Sequence, residues 1–212
     1  LCTLRCGPGG ALACRVRWSV PDGPGPFPTI VDGDLTMRPI APEIRADVLA
    51  AGFALAEFAR TDLASDSAAR DGIYAAWPAY DGGRLAAWAW GYHRVIDALL
   101  RDPQTDPARI VVTGHSRGGK TALLAGALDP RIAVTAPNNS GCGGAGCYRH
   151  QGPESETLGV IASPERFHYW FVPGFAHFAG HERRLPFDQH HLKACVAPRA
   201  LLSTEANGDL WA

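Results

Sequence analysis

The sequence predicts an α/β fold built on a mostly parallel sheet, and three observations support this. Short apolar runs rich in β-branched residues alternate along the chain with amphipathic segments at helical spacing. Hydrophobic residues make up 46% of the 212 residues, which suits a globular core. The 24 glycines and 17 prolines indicate many turns and argue against a helical bundle. We therefore expect one domain over residues 1–212.

The elements follow from these patterns in chain order. Short alternating or apolar runs predict strands over residues 14–20, 28–31, 53–58, 109–113, 132–136 and 199–204, the last of them buried. Helical spacing of apolar residues, or a short run after a proline, predicts helices over residues 43–51, 83–101 and 117–128. Residues 1–13 show little pattern and are expected to be irregular. Residues 59–82 form a long polar loop, and loops of that length in compact domains are often functional.

Charge and composition exclude several classes of protein. The net charge is −1, from 20 basic and 21 acidic residues, so neither nucleic acid nor a membrane surface is an expected partner. No apolar run is long enough for a membrane span. Neither a dinucleotide fingerprint nor a helical histidine pair is present, so no cofactor and no metal are expected. The six scattered cysteines fit an oxidising compartment or buried free thiols, and Cys142 and Cys147 are close enough in sequence to bond to each other.

The segment GHSRG at residues 114–118 matches G-x-S-x-G, the nucleophile elbow of serine hydrolases. A predicted strand leads into it and a predicted helix leads out of it, which is the setting that the motif requires. The helix start supplies N–H groups and positive potential where an oxyanion would form. The motif therefore predicts Ser116 as the nucleophile of an α/β-hydrolase, a three-layer sandwich around the sheet. A helix N-cap serine is the structural alternative.

The same segment also fits a motif of different chemistry. Gly114, Gly119, Lys120 and Thr121 satisfy G-x4-G-K-[ST], the phosphate-binding loop of nucleotide-binding proteins. A strand before and a helix after suit both motifs equally well. The local sequence therefore does not choose between nucleotide binding and acyl transfer.

The rest of the chain favours the hydrolase. The segment VTGHSRGGK at residues 112–120 resembles the G-x-S-R-x-G-K elbow of glucuronoyl esterases, carbohydrate esterase family fifteen. Further segments resemble that family in the same order, namely PNNSGCGGA at 137–145, LPFDQH at 185–190, APRALL at 197–202 and DLW at 209–211. The resemblance spans residues 15–212, and a phosphate-binding protein has no reason to carry these segments.

The resemblance implies a serine esterase that cleaves the ester between 4-O-methyl-glucuronic acid of glucuronoxylan and lignin alcohols. Ser116 would attack the uronate carbonyl, and Arg117 would assist the oxyanion with its backbone N–H and its side chain. A permanently charged guanidinium beside the nucleophile suits that role. Such a substrate is extracellular, so secretion or a periplasmic location is expected. The resemblance implies no partner besides this substrate and gives no oligomeric state.

Three further residues are implied in sugar binding. Lys120 matches the lysine that contacts sugar hydroxyls, and Trp211 matches a tryptophan whose flat apolar face would bind the uronate ring. Glu156 resembles the sugar-binding glutamate of the family, with Glu154 as the alternative.

The acid of the triad departs from part of the family. Fungal members carry a glutamate where this chain has Asn139, and an asparagine lacks the charge that stabilises an imidazolium. Asp209 resembles the acid that bacterial members carry on a later loop, and Glu205 is the alternative. Fungal members also have a cysteine where this chain has His115, so the disulfide formed there in fungi is not expected.

The triad order Ser, acid, His would place the catalytic histidine after Asp209. All eight histidines precede it, so we expect a fragment that stops before the histidine and a fold that is incomplete at the C-terminus. Another carbohydrate esterase, such as an acetyl xylan esterase, stays open as an alternative. So does a catalytically incomplete, carbohydrate-binding hydrolase-like protein.

We accordingly expect the purified chain to hydrolyse benzyl glucuronate poorly, because losing a triad histidine costs on the order of 10⁶ in kcat. A release assay for benzyl alcohol measures this. Robust turnover would contradict the missing-histidine interpretation.

Overall fold

A seven-stranded sheet forms the centre of the computed structural model, which describes residues 1–209. Its strands are β1 (Cys2–Cys6), β2 (Leu12–Ser19), β3 (Phe27–Asp32), β4 (Ala54–Phe58), β5 (Thr105–His115), β6 (Ile132–Asn138) and β7 (Ala200–Leu201). They lie in the order β1-β2-β4-β3-β5-β6-β7. The pairs β1–β2 and β2–β4 are antiparallel, and all pairs from β4 across to β7 are parallel. The predicted α/β class with a mostly parallel sheet is confirmed.

Six helices connect these strands within residues 1–209. They are α1 (Pro42–Ala50), α2 (Ile73–Ala76), α3 (Arg84–Leu99), α4 (Arg117–Leu128), α5 (Leu158–Ile161) and α6 (Gln189–Ala194). Short 3-10 turns occur at Pro8–Gly10, Arg60–Asp62, His168–Trp170, Phe175–Phe178 and Glu182–Arg184. No helix within residues 1–209 has the length and apolar content that a bilayer crossing requires.

Local patterns predicted the central elements well and the edges poorly. The prediction of an irregular N-terminus was wrong, because β1 pairs antiparallel with β2 over its whole length. Most of β1 is exposed, although Leu4 and Cys6 on one of its faces pack against the core. The predicted buried strand over 199–204 was also wrong in part. Only Ala200–Leu201 forms β7, and both residues are exposed because β7 is the last strand of the described sheet.

The core lies between the sheet and the helix pair α3 and α4, which pack against each other. Trp88, Tyr92 and Ile96 bury one face of α3 completely. On the other helix, Gly126 of α4 faces Thr135 of β6 so closely that a Cβ would overlap the threonine side chain. This close approach seats the C-terminal half of α4 directly on the sheet.

Replacing Gly126 by Ala should therefore destabilise the fold, although alanine favours helices. The overlap with Thr135 should lower the free energy of unfolding by about 1–3 kcal/mol, which urea unfolding measures. Gly159→Ala in α5 is the matched control, because its Cβ would meet only Thr157 and Ala179 at 3.7 and 3.8 Å. Equal stability of the two variants would contradict the close packing of α4.

Candidate active site

Ser116 forms a one-residue turn between β5 and α4. Its backbone is left-handed, with φ 54° and ψ −118°, a strained conformation for a residue with a side chain. The Ser116 N–H donates to the carbonyl of Asn138 in β6 at 2.9 Å, and the Lys120 N–H donates to the Ser116 carbonyl at 3.0 Å. A Cβ on Gly114 would lie 2.5 Å from the Gly118 carbonyl carbon, so the sharp turn needs glycine there.

This geometry resolves the competition between the two motifs. A phosphate-binding loop wraps several residues around the ligand between strand and helix. Here β5 ends at His115 and α4 begins at Arg117, so Ser116 alone separates them. Lys120 lies inside the helix and is buried. The nucleotide-binding alternative is therefore not supported by the fold.

A buried ion pair between Asp34 and Arg60 lies beside the turn at Ser116. The carboxylate of Asp34 accepts the His115 backbone N–H at 3.2 Å and pairs with the guanidinium of Arg60. Both side chains are buried, and a Cβ on Gly118 would overlap the Asp34 carboxylate. The pair therefore holds the backbone on both sides of Ser116.

A second buried carboxylate, Asp32, ends the neighbouring strand β3. Burial raises its pKa to about 7. The adjacent backbone is fixed by Tyr92, whose hydroxyl donates to the Thr113 carbonyl at 2.7 Å and accepts the Gly33 N–H at 2.9 Å. The floor of the site is thus rigid and carries one carboxyl group that titrates near neutral pH.

A cavity of about 280 Å³ opens above Ser116. The predicted site residues that line it are Ser116, Arg117, Lys120, Glu156 and Asp209. Trp211, predicted to bind the uronate, lies outside the described residues. Asn139, Phe167 and Trp170 complete much of the remaining wall.

Lys120 and Glu156 form a partly buried ion pair at the side of this cavity. The Lys120 Nζ donates to Glu156 Oε2 at 2.8 Å and to the carbonyls of Ser140 and Cys142 at 2.7 Å each. These three acceptors use all three ammonium hydrogens. The alternative glutamate, Glu154, is exposed and does not line the cavity.

The two positions considered for the acid meet in space. Asn139 Nδ2 donates to Asp209 Oδ2 at 2.7 Å, and the Asn139 N–H donates to the Thr204 carbonyl at 2.8 Å. Asp209 lines the cavity together with Ser116. Glu205 is exposed, accepts a hydrogen bond from Ser203 at 3.3 Å and is absent from the cavity wall.

The guanidinium of Arg117 is held on two sides. It pairs with the carboxylate of Asp66, and its central carbon lies 5.0 Å from the ring centroids of both Phe167 and Trp170. Sequence reasoning did not single out Asp66 or Trp170. The length of the 59–82 loop was a signal for the first, and the aromatic content of residues 164–179 was a signal for the second.

His115 is the histidine that lines the cavity among residues 1–209. Its Nδ1 lies 2.7 Å from Asn138 Oδ1. It immediately precedes Ser116 at the end of β5. The described residues thus bring the predicted nucleophile Ser116, the cation Arg117 and the predicted acid Asp209 to one cavity. No hydrogen bond joins a histidine of residues 1–209 to Ser116.

Potential metal ligands lie elsewhere. Cys147, Asp188 and His190 bring one ligand atom each within 4.8 Å of one another. Asp188 already accepts backbone N–H groups of Tyr148, Arg149 and Gln189, which accounts for its burial without an ion. All six cysteines are free thiols in the structure, including the adjacent Cys142 and Cys147.

Comparison with known proteins gives one consistent family. A sequence profile described as glucuronyl esterase, fungi, matches residues 9–212. A 4-O-methyl-glucuronoyl methylesterase of Podospora anserina is 39% identical over 196 residues, covering 87% of this chain and 39% of that protein. The chain thus spans about two fifths of that relative.

Solved structures agree. A CE15 glucuronoyl esterase from Teredinibacter turnerae matches with a TM-score of 0.83 and 30% identity, over 99% of this chain and 56% of that one. A Sporotrichum thermophile glucuronoyl esterase in complex with methyl 4-O-methyl-β-D-glucopyranuronate matches with a TM-score of 0.77 and 30% identity, over 94% of this chain and 54% of that one. These matches identify the sheet and helices as the α/β-hydrolase fold.

The buried Asp32 carboxyl predicts a pH-dependent stability. Its raised pKa means that the native state keeps a proton that the unfolded chain releases near pH 4. The free energy of unfolding should therefore fall as the pH rises from about 4 to 7. Asp32→Asn resembles the protonated form and removes this loss. The free energy of unfolding of the variant, relative to that of the wild type, should therefore rise by roughly 2–3 kcal/mol between pH 5 and pH 8.

Urea unfolding at the two pH values measures this difference. Asp62→Asn is the matched control, because hydrogen bonding to Arg15 lowers the pKa of Asp62 and its contribution is lost only at lower pH. A difference between wild type and Asp32→Asn that does not change with pH would refute the assignment.

Proposed function

Since this chain belongs to the glucuronoyl esterase family, we propose that it supplies the nucleophile and the acyl-binding cavity of a serine esterase for 4-O-methyl-glucuronate esters. The proposal rests on one observation. The strained Ser116 and the Lys120–Glu156 pair line the same 280 Å³ cavity, so a nucleophile and a set of sugar-binding groups face one small space. The alcohol side would be a lignin alcohol, and the polymer would be glucuronoxylan outside the cell.

In the first step the Ser116 Oγ would attack the uronate carbonyl carbon and give its proton to the histidine of the triad, and the carbonyl oxygen becomes negatively charged. Two hydrogen-bond donors of Arg117 would stabilise that charge. The Arg117 backbone N–H is at the first position of α4, where it lacks a helical acceptor and shares the positive end of the helix dipole. The Arg117 guanidinium lies beside the same cavity and adds a permanent charge.

Recognition of the uronate would centre on Glu156. Glu156 lies at the cavity wall, and its Oε2 is held by Lys120, whereas Oε1 has no protein partner in the described structure. A free carboxylate oxygen accepts hydrogen bonds from sugar hydroxyls. Lys120 reaches a hydroxyl directly only by exchanging one of its three acceptors. We therefore assign Glu156 the direct contact and Lys120 the role of fixing its carboxylate.

Asp209 is the proposed acid. Its carboxylate lies on the cavity wall, held by the side-chain amide of Asn139, and would orient a protonated histidine during turnover. Asn139 would keep one oxygen of that carboxylate in place. This assignment explains how a chain with asparagine in the fungal acid position retains a negative charge at that point.

Binding of the neutral ester methyl glucuronate tests the sugar site. We expect Glu156→Gln to weaken the affinity about tenfold, because hydrogen bonds to a charged group contribute about 1.5–3 kcal/mol. Calorimetry measures the dissociation constant, and thermal unfolding checks that the variant is folded. Glu154→Gln is the matched control and should bind like the wild type. A larger effect in Glu154→Gln would move the sugar contact to that residue.

Ester hydrolysis tests the chemistry. Whatever rate the chain shows should be greater for methyl glucuronate than for acetylated xylan, and Ser116→Ala should reduce it to the uncatalysed background. With a complete triad the loss is on the order of 10⁶ in kcat. A pH-stat measures both substrates. Hydrolysis that survives in Ser116→Ala would remove Ser116 from the mechanism, and a preference for acetylated xylan would indicate the other esterase class.

A further inference from the structure

The long 59–82 loop places one carboxylate against the catalytic machinery. Asp66 Oδ2 pairs with Nη1 of Arg117, and Asp66 Oδ1 accepts the indole N–H of Trp170 at 2.9 Å. The Asp66 carbonyl accepts the Tyr169 hydroxyl at 3.0 Å. One residue thus contacts both the proposed oxyanion cation and the aromatic wall of the cavity.

The loop around Asp66 is fixed from the opposite side by α3. The indole N–H of Trp88 donates to the Ala64 carbonyl at 2.8 Å, and Arg84 donates from Nε to the Ser65 carbonyl at 2.9 Å and from Nη2 to the Ala69 carbonyl. Trp88 and Arg84 are both buried. A segment whose carbonyls are bound by buried side chains has little freedom, so the Asp66 carboxylate is held in place before any ligand arrives.

Asp66 also offsets the positive charge of two neighbouring arginines. Arg60 is buried under the elbow, and its pKa is lowered chiefly by burial, with the nearby charge of Arg117 lowering it further and that of Asp66 raising it. Two guanidinium groups near each other repel, and the Asp66 carboxylate offsets that repulsion. The Arg117 side chain is 29% exposed, so without this partner it has room to turn towards solvent.

The aromatic wall depends on the same carboxylate. Trp170 is buried, and its ring stacks on Phe167 with centroids 4.0 Å apart and an interplanar angle of 4°. Both rings line the cavity and face the Arg117 guanidinium. The two oxygens of Asp66 therefore set the distance between the cation and the wall.

We propose that Asp66 is a positioning residue that holds the guanidinium of Arg117 and the indole of Trp170 in the arrangement that receives the anionic oxygen of a uronate. The inference rests on the proposed function and assigns a role to a loop residue outside the motif. A carboxylate that acted only as a countercharge would oppose an anionic ligand. A carboxylate that positions the cation favours such a ligand. The two roles therefore predict opposite changes in the affinity for an anionic ligand when the charge of Asp66 is removed.

Calorimetry with two probes separates these roles. Glucuronate carries a carboxylate that stands in for the oxyanion, and methyl glucuronate is its neutral ester. Asp66→Asn should weaken glucuronate binding about tenfold, the effect of losing one charged hydrogen bond, and should affect the neutral ester less. Asp66→Glu keeps the carboxylate and should bind glucuronate more tightly than Asp66→Asn. If the Asn variant fails to fold, the Glu variant takes its place in the comparison with the wild type. In Arg117→Ala, the further change Asp66→Asn should weaken glucuronate binding less than it does in the wild type.

Asp81→Asn is the matched control, because Asp81 lies at the far end of the same loop and is exposed to solvent. It should bind both probes like the wild type. A ¹H–¹⁵N spectrum provides a second measurement, in which the Trp170 indole N–H should exchange faster with solvent in Asp66→Asn than in Asp81→Asn.

Unchanged or tighter glucuronate binding in Asp66→Asn would overturn the positioning role. Asp66 would then act only as a countercharge to the arginines. The failure of the proposed function looks different. In that case the wild-type chain binds neither probe, whatever residue stands at position 66.

Discussion

The strained turn at Ser116 is the constraint on which the rest of the site depends. A left-handed non-glycine residue persists only where its surroundings fix the backbone on both sides. Here the Ser116 N–H is bound to β6, its carbonyl is bound to the first turn of α4, and Asp34 holds the His115 N–H below. The parallel register of β5 and β6 sets the first of these bonds. Moving either strand by one residue would break the turn and turn the serine away from the cavity.

Helix α4 organises both walls of the cavity from its first turn. Arg117 and Lys120 are three residues apart and therefore lie on one face. Each cation fixes a different loop, since Arg117 pairs with Asp66 of the 59–82 loop and Lys120 pairs with Glu156. Burying a lysine is unfavourable unless its hydrogens are satisfied, and Lys120 meets that condition with three acceptors. The arrangement explains why a G-x-S-R-x-G-K segment carries more information than the elbow alone.

Residues within the elbow were predictable because their cause is local. Strand, one turn residue and helix are adjacent in sequence, and the bounds of α4 coincide with the predicted 117–128. Asp66 was not predictable, because its partner is 51 residues away and Trp170 is 104 residues away. No sequence pattern encodes such distances without a known fold. β1 was missed for another reason, since it is an edge strand of only five residues, and its pairing with β2 cannot be read from so short an alternation. The assignment of Trp211 concerns a residue outside the described part of the chain.

With Asp209 as the proposed acid, its contact with Asn139 offers a physical account of how a triad acid changes its place in the sequence. In a parallel sheet, the loops after neighbouring strands emerge at the same edge, so residues after β6 and after β7 lie side by side. A carboxylate on either loop occupies the same region beside the nucleophile. Once one loop supplies the charge, the other position needs only a donor that orients it, and an asparagine amide provides this. The chemistry therefore constrains a point in space rather than a position in the chain, which is why the fungal acid position can hold asparagine here while the cavity keeps its carboxylate.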